Sequence, residues 1–86
     1  MTIQRLQLDS QIDWIPMSLA ASLLGIHPSQ VRRDRAVLQE LDLIDYTSHS
    51  GGFTRKTLES LWIFRQLVSQ RGRTEAIKQI SHYLEP

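Results

Sequence analysis

Three arginines crowd one short stretch of this chain. In S-Q-V-R-R-D-R, Arg32, Arg33 and Arg35 surround a single acid, Asp34. A guanidinium is a planar fork of donors that matches phosphate oxygens and the N7/O6 edge of guanine. Just upstream stand Gln30, whose amide can pair bidentately with adenine, and Ser29, which suits a phosphate near a positive helix end. Such side chains recognise polyanions; they do not make or break bonds. We assign Gln30 and Arg33 to base readout and Ser29 and Arg32 to phosphates. A second cationic pair, Arg55 and Lys56, falls where a helix is expected to begin, the wrong end for that helix's own dipole, and makes more sense beside an external anion. His49, Ser50 and Gly51 are small and polar, so their backbone can approach a phosphate or a minor groove.

Other chemistries find less support. His27, His49 and His82 share no i, i+3 or i+4 spacing, and the chain has no cysteine, so neither zinc nor nickel is expected. His27, directly before Pro28, reads more simply as a helix N-cap or a phosphate donor. Nucleophilic catalysis would need Ser, His and Asp gathered from separate elements, and 86 residues leave little room for a deep pocket. We therefore expect no enzyme activity, no cofactor and no metal. Without cysteine there are no disulfides either. No apolar run approaches the roughly 20 residues of a membrane span, and the N-terminus lacks a signal pattern, so a cytoplasmic, nucleoid-associated protein without membrane contact is the expectation. Hydrophobic residues make up 41% and charged residues 22%, as in an ordinary globular domain. The net charge of +1 argues against indiscriminate attraction to polyanions, but its distribution matters more. Arg32, Arg33 and Arg35, then Arg55, Lys56, Arg65, Arg71 and Arg73, form basic groups, while Asp9, Asp13, Glu40, Asp42 and Asp45 lie outside them. One basic face on a near-neutral total would read this way.

The elements that position these residues follow from period and punctuation. Leu19, Ala20, Leu23 and Leu24 put apolar groups on one side of a first helix starting at Pro16-Met17. Gly25 suits the left-handed residue that ends it. His27-Pro28 opens a second helix to about Glu40 or Leu41, with proline at its first position and Val31, Leu38 and Leu41 inward. Helix, short glycine turn, helix is the helix-turn-helix unit, with Ala21 at the crossing, Ile26 capping the core and Val31 as anchor. Leu43 to Phe53 reads as two short strands around a Ser/Gly turn, a wing. Thr54 caps a third helix, Arg55 to Arg71, with Leu58, Leu61, Phe64 (or Ile63), Leu67 and Val68 inward and Gly72 at its end. Thr74 caps a last helix, Glu75 to Leu84, with Ile77, Ile80 and Leu84 inward and Tyr83 a further candidate. The fold class expected is mainly α, a winged helix-turn-helix of about four helices. Residues 1–14 are expected to form an N-terminal arm packed over it, in preference to a protruding arm that pairs with another subunit, with a short strand at Leu6 to Leu8 and a turn of helix from Ser10 as local options.

In this order, the chain resembles the DNA-binding headpiece of the MerR family. The resemblance covers roughly Ile15 to Leu84 and rests on I-P-M-S-L-A-A-S-L-L-G-I-H-P-S-Q-V-R, on the wing ending G-G-F-T-R-K-T-L, and on L-W-I-F-R-Q-L-V-S-Q-R-G-R-T-E-A-I-K-Q-I. Its first half is also similar to excisionases, and Q-V-R-R-D-R-A-V-L-Q-E-L-D-L-I to recognition helices of other winged-helix repressors. His27 replaces the family's usual Ser or Thr, and Arg33 and Asp34 replace its tyrosines. The sequence ends at Pro86, short of the family's long dimerising helix and effector domain. The resemblance therefore implies DNA binding and gives no support to ligand sensing.

The function expected is sequence-specific binding of double-stranded DNA by a small transcription regulator, with the second helix in the major groove. A single headpiece makes few contacts for a regulatory affinity, so a homodimer or oligomer on DNA is expected, through the arm, Trp62 or the last helix. Two alternatives stand beside it. One is an excisionase-like factor that bends DNA in recombination. The other is a winged-helix module that binds a protein partner and no DNA, for which the modest net charge speaks.

Overall fold

A computed structural model of the chain describes residues 14–44 and 52–84. Four helices and a two-stranded antiparallel sheet make up these residues: β1 (Trp14–Pro16), α1 (Met17–Leu24), α2 (Pro28–Glu40), β2 (Gly52–Thr54), α3 (Arg55–Arg71) and α4 (Arg73–Leu84). Proline explains the first junction. Pro16 forces Ile15 into extended backbone, and its own φ of -62° leads directly into α1.

Glycine and aspartate explain the next two. Gly25 takes φ +69°, its N–H donating to the Ser22 carbonyl while Ile26 N–H reaches Ala21. That is a Schellman close of α1, as the sequence led us to expect at this glycine. α2 ends in the same way on a residue the sequence does not flag. Asp42 holds φ 63°, with Asp42 N–H on Gln39 O and Leu43 N–H on Leu38 O. Aspartate is among the few side chains that visit this region readily. Thr54 caps α3, its hydroxyl oxygen accepting from Thr57 N–H at 3.2 Å.

The sheet pairs Trp14 with Thr54, Ile15 with Phe53, and Pro16 with Gly52. Ile15 and Phe53 face each other across it and are both buried. Beneath them lie Ala20 and Ala21 of α1, Val31 and Leu38 of α2, Leu58, Leu61, Ile63, Phe64 and Leu67 of α3, and Ala76 and Ile80 of α4. Gly52 is required by close approach: a Cβ there would sit 2.6 Å from the Ile15 carbonyl oxygen and 2.8 Å from Trp14 Nε1.

Several expectations are corrected. Trp14, the last residue assigned to the arm, is the first residue of β1, opposite Thr54. Leu43 and Ile44 are not in a strand; they are half-buried against the core. The rest of the wing before Gly52, and the arm's Leu6 to Leu8 and Ser10, lie outside the described residues. Leu19 is 43% exposed. At about 100° per residue it stands some 200° from Ala21, which with Ala20 marks the inward side of α1. Leu41 caps α2 where the chain leaves the helix, and it is exposed. α4 begins at Arg73, not after Thr74: Gly72 ends α3 and its carbonyl accepts the first bond of α4, from Ala76 N–H. The inward residues of α4 are Ala76 and Ile80; Ile77 and Leu84 are half-buried, and Tyr83 is exposed. Among the described residues, no helix is long and apolar enough to cross a membrane.

Candidate functional site

α2 is the element on which the chemistry is concentrated, and its two sides differ sharply. Val31, Asp34 and Leu38 are buried, at i, i+3 and i+7, so one narrow stripe faces the core. At about 100° per residue, Ser29, Arg32 and Arg33 fall on the opposite side, and all three are exposed. Gln30 and Arg35 occupy the flanks, half-buried. The side that meets solvent is thus polar in its first turn, at Ser29, and cationic in its second, at Arg32 and Arg33.

Local hydrogen bonds explain how that first turn is held. His27 is extended, and its Nδ1 accepts from Ser29 N–H at 3.1 Å while lying 2.9 Å from Ser29 Oγ. This is the N-cap role offered for His27 by the sequence. Pro28 supplies the first helical position and needs no acceptor. Arg35 Nη1 donates to Gln39 Oε1 at 2.8 Å, along the flank.

The buried acid is the main departure from the sequence. Asp34, expected among the surface arginines, has 0% side-chain exposure. Its Oδ1 accepts from Gln30 Nε2 at 3.0 Å and from Arg73 Nη1 at 3.0 Å, and Arg65 Nη2 lies 3.5 Å away. Its Oδ2 is 2.7 Å from Arg65 Nε, a close ion pair rather than an aligned hydrogen bond. The Arg73 guanidinium also lies over the Phe64 ring, 5.7 Å from its centroid. Three helices therefore meet at one carboxylate.

Arg65 and Arg73 accordingly leave the basic group in which the sequence places them: they neutralise an internal charge. Arg71 bonds Gln79, which in turn donates to Glu75 Oε1 at 2.6 Å, tying α3 to α4 at the surface. By contrast, among the described residues neither Arg32 nor Arg33 pairs with a carboxylate. Arg55 is half-buried at the start of α3, and Lys56 beside it is exposed, on the rim of a cleft of about 260 Å³ lined also by Asp42, Leu43, Ile44, Thr54 and Thr57. That is smaller than the usual small-molecule site. His49, Ser50 and Gly51 lie outside the described residues. No group of three or more His, Asp or Glu side chains able to hold a metal ion occurs among the described residues.

Fold and site together define a mainly helical small domain with a two-stranded antiparallel sheet, one of whose helices turns a buried acid inward and an arginine-rich side outward. No protein-family model matches the chain, nor does any curated protein or solved structure.

Asp34, Arg65 and Arg73 are the residues whose roles the sequence left unread. The signal for Asp34 is present: it occupies the middle of the Val31–Leu38 stripe, where a helix of this period places a core residue. Its partners, 31 and 39 positions away, carry no local mark.

Proposed function

We propose that the chain is a winged helix-turn-helix protein that binds double-stranded DNA sequence-specifically, as a small transcription regulator. One observation carries the reading. Arg32 and Arg33 stand exposed with Ser29 on the side of α2 opposite its buried stripe, without carboxylate partners among the described residues. α1, the Gly25 turn and α2 supply the helix-turn-helix. α2 enters the major groove by its N-terminal turns. There Arg33 pairs with a guanine and Gln30 with an adenine, while Ser29, Arg32 and His27 hold phosphates. Arg55 and Lys56 approach the flanking backbone, and the same role is assigned to His49, Ser50 and Gly51. No cofactor or metal takes part. Two or more copies assemble on DNA, since one such domain makes few contacts.

The test is selection of bound duplexes from a random pool, followed by gel-shift titration of the selected site across salt concentrations. Affinity should fall steeply with salt, because each phosphate that the protein neutralises releases counterions. Replacing both Arg32 and Arg33 by Ala should flatten that slope by roughly 0.9 for each phosphate no longer neutralised, with the circular dichroism spectrum unchanged. A selected inverted repeat would support the assembly. Absence of binding by the unaltered protein at low salt sinks the proposal. It would favour a second reading, a protein-interaction module, for which the exposed Trp14 (40%) and Leu19 (43%) speak. Binding of that kind would be insensitive to salt.

A further inference from the structure

A carboxylate has lone pairs and no donor, so whatever hydrogen-bonds to it must present an N–H or O–H. Gln30 and Asp34 are neighbours at i, i+4 on α2, and the contact between them is Nε2 to Oδ1 at 3.0 Å. With a guanidinium against each oxygen of Asp34, the Gln30 amide has one orientation open to it: nitrogen toward the acid, Oε1 away. One N–H is spent on Asp34. With the N–H anti to Oε1 as the one used, the second N–H lies on the same side of the amide as Oε1, and the two form an acceptor–donor pair for a base edge.

We infer that Asp34 is a specificity-determining positioning residue: by locking the Gln30 amide, it makes α2 prefer adenine over guanine at the base pair Gln30 faces. The inference rests on the DNA-binding reading above. Adenine offers an N6–H donor and an N7 acceptor, complementary to Oε1 and the second N–H. Guanine offers two acceptors, and its O6 would face Oε1 lone pair to lone pair. A glutamine free to flip and pivot its amide escapes that clash by turning its NH2 group toward O6 and N7 and its Oε1 away from the base. Locking removes the escape.

The experiment compares wild type, Asp34→Asn and Gln30→Met in duplex selection, then by titration on paired duplexes differing only by A or G at the sensitive position. That position is the one whose preference Gln30→Met erases, a change that leaves Asp34 with both arginines. Wild type should favour A over G by roughly 5- to 150-fold there. An asparagine side chain can donate as well as accept, so Asp34→Asn frees the flip and should bring the ratio several-fold closer to one. A purely structural role for Asp34 would weaken all duplexes alike. An Asp34→Asn protein that is folded by circular dichroism and keeps the wild-type ratio overturns the inference while leaving DNA binding intact. So does a Gln30→Met protein whose preference changes at no position. Wild type that binds no duplex at low salt overturns both. Should Asp34→Asn fail to fold, side-chain amide resonances of ¹⁵N-labelled wild type decide the matter: the Asp34-bonded Gln30 proton should exchange slowly both free and on DNA, and its release on DNA overturns the inference.

Discussion

Truncating Asp34 to Ala removes the one group on which α2, α3 and α4 converge. The mutation strands the guanidinium groups of Arg65 and Arg73 and the amide of Gln30. Removing one member of a buried ion pair costs roughly 3–5 kcal/mol, most of it from the charge left behind. Here the side chains of Arg65 and Arg73 are 22% and 38% exposed, so both can recover some hydration. The lower end therefore applies, about 3 kcal/mol. A chain of 86 residues has a total stability of about 4–13 kcal/mol at roughly 0.05–0.15 kcal/mol per residue. The loss is a large share of that. In a domain of this size each kcal/mol moves Tm by about 4–8 °C, so Tm should fall by about 12–24 °C.

Thermal and urea denaturation followed by far-UV circular dichroism measure this directly. The same physics makes a second demand. Replacing the whole cluster with Asp34→Leu, Arg65→Met and Arg73→Met removes every charge of the cluster at once, and stability should return to within about 1 kcal/mol of wild type or exceed it. Arg65→Ala and Arg73→Ala should be strongly non-additive, because both act on one carboxylate. If Asp34→Ala lowers Tm by less than about 4 °C, the carboxylate does not hold the helices together and the reasoning fails.

Three further substitutions probe the junctions. Gly52→Ala puts a methyl 2.6 Å from the Ile15 carbonyl and against the Trp14 indole, so it should cost about 1–3 kcal/mol and perturb tryptophan fluorescence. Gly25→Ala meets no atom within 4 Å, so its penalty is that of the left-handed conformation alone, about 1–2 kcal/mol, and Gly25→Asn should recover part of it in the same urea titration. Thr54→Ala removes the cap of α3 and should cost about 1 kcal/mol by thermal melting, with Thr54→Ser close to wild type.

What the sequence made legible was mostly punctuation. Pro16, Gly25, Pro28 and Gly72 each act through a backbone preference of their own and Thr54 through its capping hydroxyl, and each sits at the junction where that property is useful. The inward side of α3 was equally readable, because Leu58, Leu61, Phe64 and Leu67 recur at helical spacing over 17 residues. Short elements resisted. In the eight residues of α1, Leu19, Leu23 and Leu24 compete with two alanines for the inward side, and it is the alanines that are buried. Asp42 was hidden because glycine is the usual residue for that close. The pairing of β2 with β1 joins positions nearly 40 apart, set by the mutual burial of Ile15 and Phe53 and not by any local signal.

Asp34 also explains how a chain of net charge +1 can present a cationic helix. Counted along the sequence, the acid sits among three arginines and dilutes them. In the fold its charge is directed inward and matched by Arg65 and Arg73, which come from other helices. The exposed side of α2 therefore keeps Arg32 and Arg33 clear of Asp34, with the exposed Glu40 about two turns further along, while the charges of Arg65 and Arg73 are engaged by the internal acid. On the DNA-binding reading proposed above, two effects on the polyanion would follow: attraction at long range stays modest, in keeping with the net charge, and the field at short range is concentrated on one side of one helix. A protein built this way should discriminate poorly by bulk electrostatics and well by docking geometry, which is the property a sequence-reading helix needs.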